Sequence, residues 1–344
     1  MANFLGIDYQ TLWFLLVGGV FSGYAILDGF DLGAGAWHLF LRKEQSRRIA
    51  LNAVGPVWDG NEVWLVIGGG ALFAGFPVVY ATLFSAMYIP FMLFLAFLIF
   101  RAISIEFRGK ESMLWWRKLW DISYSISSIM IAFLLGIVLG NVLEGIAIGK
   151  NYEFNGHWLE FLNPYSILVG LMSLALFMMH GAIFLLMKTE GRLFIKLTRL
   201  LRNGIIFFIL MFLAVTTYTL IIIPHLSDDL LEHPALFIAP ILTFLSIANI
   251  PRLASKRKFQ QAFVFSALSI SLLMVLVAIE LYPVMILSSI DPVYSLNIYN
   301  AASSEKTLGI MLIIAAIGIP FILTYTIFVY KTFWGKVIVD ETSY

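Results

Sequence analysis

Nine apolar runs, each long enough to cross a bilayer, constrain this 344-residue chain more than any other feature. They lie at roughly 11–40, 49–75, 78–107, 119–143, 164–188, 203–224, 235–251, 259–284 and 307–332. A hydrocarbon core takes about 20 residues of α-helix. In lipid, a run of that length satisfies its own backbone amides only as a helix. Nothing alternates with the period of two that a barrel strand shows. The expected fold is an all-α polytopic membrane protein with nine transmembrane helices, arranged as two four-helix bundles plus one extra helix. Composition agrees: 60% of residues are apolar and only 12% charged, about half the charged share of a soluble domain. A soluble fold with that balance would expose apolar surface and aggregate. A net charge of +1 removes a basic nucleic-acid binder. The absence of cysteine removes disulfide scaffolds, iron–sulfur clusters and thiolate metal sites. The first basic residue is Arg42, so no cleaved signal peptide is expected.

Basic residues orient the runs, because cytoplasmic loops collect Lys and Arg. One set of loops and helix ends holds Arg42, Lys43, Arg47 and Arg48; Arg101, Arg108, Lys110, Arg117 and Lys118; Lys188, Arg192, Lys196, Arg199 and Arg202; Arg252, Lys256, Arg257 and Lys258; and Lys331 and Lys336. That is 20 of the 22 basic residues. The opposite loops carry Lys150 and Lys306 and are otherwise acidic, with Glu153, Glu160, Asp228, Asp229, Glu232 and Asp291. The N-terminus is therefore expected outside and the C-terminus in the cytoplasm. The expected division is a first bundle over 1–145, an outer polar loop over 146–163, a second bundle over 164–285, and an outer loop, ninth helix and cytoplasmic tail over 286–344. A faint internal echo, ILDGFDLG at 26–33 against MMHGAIFL at 178–185, fits that division. It also fits two unrelated helices.

Charges inside the runs need a partner, a water cavity or a task, since each costs roughly 3 kcal/mol at the midplane. The first run holds Asp28 and Asp31, the second Asp59 and Glu62, and the third Arg101 and Glu106. Residues three apart share a helix face. At 1.5 Å per residue these six can form one layer in the cytoplasmic half of the membrane, about 10–15 Å from the helix ends. Five carboxyls facing one guanidinium cannot all be ionised in a low dielectric, so some are expected to carry a proton. Asp59, Glu62, Asp28 and Asp31 are the candidate proton path. Arg101 with Glu106 is the candidate structural ion pair. Pro56 is expected to free the carbonyl of Asn52 and so invite water. The alternative is an ion-pair network that only locks three helices together. Gly29 and Gly33 at GxxxG spacing, with Gly68, Gly69 and Gly70, suit close helix approach.

Histidine limits the redox options. A bis-imidazole haem needs two intramembrane histidines on facing helices. Only His180 is clearly inside a run; His38 ends the first, and His157, His225 and His233 fall in outer loops. No catalytic residue and no metal site are expected in this chain. Buried methionines such as Met172, Met178 and Met179 read as packing.

GFDLGAG at 29–35, GPVWDGNEVWL at 55–65 and RAISIEFRGK at 101–110, in that order, resemble subunit II of the cytochrome bd-type quinol oxidases. The likeness extends along the chain in length, nine spans and basic inner loops; the C-terminal half matches by hydropathy alone. The resemblance implies the non-haem subunit of a respiratory terminal oxidase that oxidises quinol and reduces dioxygen to water. It implies a haem-bearing subunit I as partner, holding two b haems and haem d, with a small single-helix accessory subunit in some members. It implies a multi-pass protein of a bacterial or archaeal cytoplasmic membrane, in contact with lipid and quinol. It also implies a cytoplasmic proton path beginning near Asp59, and in some members a structural quinone in a groove near Trp58. The competing class is a proton-coupled transporter, which midplane carboxylates and a four-plus-four repeat would also suit. A purely structural membrane scaffold is the third.

Overall fold

The computed structural model describes residues 3–4, 6–223 and 233–338. The outer-loop residues His225, Asp228, Asp229 and Glu232 lie outside them. The described chain is almost entirely helical: α1 (Tyr9–His38), α2 (Glu44–Val54), α3 (Trp58–Gly75), α4 (Pro77–Ala86), α5 (Tyr88–Phe107), α6 (Leu114–Glu144), α7 (Pro164–Lys188), α8 (Gly191–Ile222), α9 (Ile238–Ser255), α10 (Phe259–Glu280) and α11 (Glu305–Thr332). Two short antiparallel pairs, Asn3–Phe4 with Ile7–Asp8 and Val284–Ile286 with Leu296–Asn297, lie at the edges.

Among the described residues, eight helices are long and apolar enough to cross a membrane. The ninth expected span is α3 with α4, which pass only as a pair bent by 119° at Phe76. Two expected runs are thus subdivided. The run at 49–75 breaks at Gly55, Pro56 and Val57, where Pro56 cannot continue the backbone ladder. α2 is a separate amphipathic segment, and the WDGNEVW stretch opens α3. The run at 78–107 breaks at Met87. At Met87 hydropathy is blind to the break because both flanks are equally apolar.

α1 and α7 cross at the centre of the molecule. α1 also packs on α3, α6 and α10; α7 also packs on α6, α8 and α10. The crossing depends on two glycines. A Cβ on Gly33 would lie 1.8 Å from the Phe177 carbonyl oxygen, and one on Gly181 would lie 2.5 Å from the Ala34 nitrogen. Neither backbone can accept a side chain there. Against this crossing packs a core that includes Phe30, Trp37, Met179, Ile183 and Phe208. The Trp37 indole donates to the Met178 carbonyl (2.7 Å).

The two ends of the bundle differ. At the end away from the basic loops, α4 folds over the helices. Val79, Leu83 and Met87 pack with Trp13, Ile146, Phe161 and Ile286. At the basic end, the loops are tied to one another. Lys188 donates to the Phe333 carbonyl (2.7 Å) and Lys336 to the Thr189 carbonyl (2.9 Å), while Lys196 donates to the Phe40 carbonyl. α11 lies on the outside. Its most apolar stretch has no buried residue, and it is held near its two ends by Leu308 and Tyr330.

A buried carboxylate layer and its candidate route

Four of the six sequence candidates converge. Asp28, Asp31 and Arg101 are fully buried, and Glu62 is largely so. Asp28 and Arg101 form a bidentate pair: Arg101 Nη1 donates to Asp28 Oδ2 at 2.9 Å and Nη2 to Oδ1 at 2.5 Å. This planar geometry is the strongest available to the two groups. Glu62 Oε2 lies 3.5 Å from the same Nη1. Asp31 turns the other way, to α3. Asn61 Nδ2 donates to Asp31 Oδ2 (2.6 Å) and to the Leu27 carbonyl (3.2 Å). Tyr330 of α11 donates its hydroxyl to Asn61 Oδ1 (2.9 Å). The layer therefore spans α1, α3, α5 and α11. It lies about 15 Å from the basic end of α1, counting from Asp28 to His38.

The layer holds more acid than base. One guanidinium meets three carboxyls, and Asp31 has no cation in hydrogen-bond contact. Asp31 Oδ1, Glu62 Oε2 and Arg101 Nε are buried without a hydrogen-bond partner among the described residues. Buried polar atoms are seldom left unpaired.

The other candidates lie at the margin. Asp59 is exposed, in the first turn of α3. The positive end of the helix dipole favours a carboxylate there. Pro56 makes this possible, because the helix starts two residues after it. Glu106 is exposed on α5, so the carboxylates gripping Arg101 are Asp28 and Glu62 rather than the expected Glu106. Trp58 is buried at 8% exposure, packed with Leu51, Ile105 and Tyr124. Its indole is enclosed by this chain's own side chains instead of lining an open groove.

A second cluster at the basic end was not anticipated. Asp121 on α6 accepts from His38 Nε2 (2.5 Å), Arg47 Nη1 (2.8 Å) and Arg108 Nε (2.6 Å). Arg108 Nη2 also reaches both oxygens of Glu44 (2.9 Å each). The signal was present, since Asp121 is an acid within an apolar run and next to a basic loop. Tyr124 packs edge-on against His38 at 5.1 Å and belongs to the Trp58 group. Side chains thus fill the direct way up α1 from the basic end. The exposed acid nearest the carboxylate layer along α3 is Asp59, three positions before Glu62.

His180 is fully buried, with both ring nitrogens engaged: Nδ1 with Ser266 Oγ (2.6 Å) and Nε2 with the Ile26 carbonyl (3.1 Å). Its ring stacks on Phe263. Among the described residues no three His, Asp or Glu side chains converge as a metal site requires.

Residues 9–333 match the family model described as cytochrome bd terminal oxidase subunit II. The chain is 31% identical to cytochrome bd-I ubiquinol oxidase subunit 2 of Escherichia coli K12, over 97% of both chains. It is 33% identical to cytochrome bd ubiquinol oxidase subunit 2 of Bacillus subtilis 168, over 95% of this chain and 96% of that one. Its fold is similar to a chain in the bd oxidase structure from Geobacillus thermodenitrificans: the TM-score is 0.79 at 18% identity, covering 94% of this chain and 98% of that chain.

Proposed function

Because this chain belongs to the cytochrome bd terminal oxidase subunit II family, we propose that it is the non-haem subunit of a membrane-bound quinol:oxygen oxidoreductase and supplies that complex with a proton route from the cytoplasm. The oxidoreductase activity belongs to the assembled complex. The two b haems and haem d are assigned to a haem-bearing subunit I. His180, deep within the helices, spends both ring nitrogens on Ser266 and Ile26, and so offers no free axial ligand. We assign the N-terminus to the outside, and we read 1–145 and 164–285 as two four-helix bundles joined through the α1–α7 crossing.

One observation carries the proton reading. An exposed carboxylate, Asp59, stands one helical turn from a buried layer with more acids than cations. Glu62 is the next group inward, followed by Asp28 beside Arg101, and then Asp31 beside Asn61. Arg101 holds Asp28 through both of its oxygens and orients it. Asp31, with no cation of its own, is the group that can take up and release a proton. The haem-bearing partner performs dioxygen reduction, and this chain brings the protons that reaction consumes. A small single-helix subunit is compatible with the shaft of α11, whose most apolar stretch has no buried residue. A quinone near Trp58 gains no support from an enclosed indole.

The test is substitution in the assembled complex. In Asp59→Asn and Asp31→Asn, oxygen consumption is expected to fall by roughly tenfold or more, within the range of proton-transfer defects. The reduced-minus-oxidised haem spectrum should be unchanged. Full activity in both variants would remove the proton role, and loss of the spectrum would reassign these residues to assembly.

A further inference from the structure

Far from the carboxylate layer, the α9–α10 hairpin ends at the basic side in a cavity of about 450 Å³. Arg252, Lys256 and Lys258 line it, together with Asn249, Gln261, Leu253, Val264 and Phe265. The turn that makes it is well defined. Lys256 N donates to the Arg252 carbonyl, Arg257 N to the Ala254 carbonyl and Lys258 N to the Leu253 carbonyl. Arg257 adopts a left-handed backbone conformation (φ 56°) that lets the chain reverse. Lys256 and Lys258 both line the opening of this turn.

Several other cations at this end are engaged by the chain itself. Arg47, Arg108 and Arg117 face Asp121 or Glu44, and Lys188, Lys196 and Lys336 donate to carbonyls. Arg252 has only a long contact to Asn249 Oδ1 (3.5 Å). Among the described residues, Lys256 and Lys258 have no carboxylate partner. The sequence supplies none nearby, for no Asp or Glu occurs between His233 and Ile279. Three cations gathered round one cavity without an acid repel one another, and an anion relieves that repulsion.

The cavity's other wall says what kind of anion. Val264 (62% exposed) lies in it, and Leu245 (56%) and Leu268 (43%) continue the same outward faces of α9 and α10 away from the basic end. Leu245, Asn249, Arg252 and Lys256 follow one another at helical spacing, as do Gln261, Val264 and Leu268. A ligand complementary to this surface is anionic at one end and hydrocarbon along the rest. We propose that the cavity binds the phosphate headgroup of an anionic phospholipid of the cytoplasmic leaflet, with one acyl chain laid along Val264, Leu268 and Leu245. Arg252 gives the phosphate a planar pair of donors, and the two lysines add charge.

The full-length chain, purified in mild detergent with its co-purifying partner, is titrated with phosphatidylglycerol, phosphatidylcholine and inorganic phosphate, and bound lipid is counted by native mass spectrometry. Phosphatidylglycerol is expected to bind several-fold more tightly than phosphatidylcholine. The triple variant Arg252→Gln, Lys256→Gln and Lys258→Gln is expected to lose at least about tenfold of that affinity, because each basic group adds to the attraction for an anionic headgroup. A control variant with the same charge change, Arg192→Gln, Arg199→Gln and Arg202→Gln on exposed positions of α8, should keep it. Equal phosphatidylglycerol binding by wild type and the α9–α10 variant would overturn the site. So would displacement of the lipid by an equal concentration of inorganic phosphate, which would show a soluble-anion site instead. Because the substituted side chains are exposed, the variant's melting temperature serves as the folding check. A variant that melts early is replaced by Val264→Asp, which leaves the cations and blocks the acyl groove and is expected to produce the same loss.

Discussion

Asp28 and Arg101 show what a buried pair demands of its neighbours. Two charges taken out of water cost several kcal/mol each, and removing one partner is worse than removing both. Arg101→Met should destabilise the protein by about 3–5 kcal/mol, read as a fall in melting temperature and in haem retention by the complex. Adding Asp28→Leu should recover most of that stability while leaving oxygen consumption low. Asp31→Asn is the contrasting case. Asp31 has no cation to lose, so the melting temperature should change little while turnover drops. The acids and the arginine were legible in the sequence because the bilayer makes every internal charge conspicuous. Which carboxylate meets the guanidinium was not, since Asp28 and Asp31 are three residues apart and equally placed by periodicity. Tyr330 could not be read at all: it lies 269 residues from Asn61, and no local pattern links the two. Asp121 was legible in principle by the same rule that exposed Asp28.

At the level of elements, the runs found by hydropathy correspond to helices, and the discrepancies occur at chain breaks. Gly55-Pro56 stops α2 and restarts the chain as α3, which changes the meaning of Asp59. In an unbroken helix it would be a charge inside the membrane; at the head of α3 it is an exposed carboxylate favoured by the helix dipole. Pro56→Ala should weaken this break and lower activity without touching a titratable group, and oxygen uptake by the assembled complex measures it. At the α1–α7 crossing, Gly29 and Gly33 marked α1 as a helix that a neighbour approaches closely, but that the neighbour is α7 at Gly181 was not readable from local pattern. Gly181→Ala places a methyl 2.5 Å from a backbone nitrogen. Overpacking of a core typically costs about 1–3 kcal/mol, and here no flexible side chain can yield. The expected result is a lower melting temperature and a poor yield of the complex, while Gly69→Ala, where a Cβ meets nothing within 4 Å, should behave as wild type.

Across the whole molecule, the two ends are built on different principles. One is closed by apolar packing beneath α4; the other is bound by charge, with Asp121 at the meeting point of α1, α2, α5 and α6. Asp121→Asn leaves His38, Arg47 and Arg108 without their shared anion. It should open this end by about 3 kcal/mol, and trypsin should cut at Arg42, Arg47 or Arg48 faster than in the wild type. Unchanged cleavage would show that Glu44 alone suffices to hold the end together.

α11 has a further consequence. A helix held near its two tips, with no residue buried along its most apolar stretch, behaves as a strap, and whatever presses on its flank moves its anchors. One anchor, Tyr330, grips Asn61, which in turn grips Asp31. A displacement of α11 is thus coupled, through two hydrogen bonds, to a fully buried acid of the carboxylate layer.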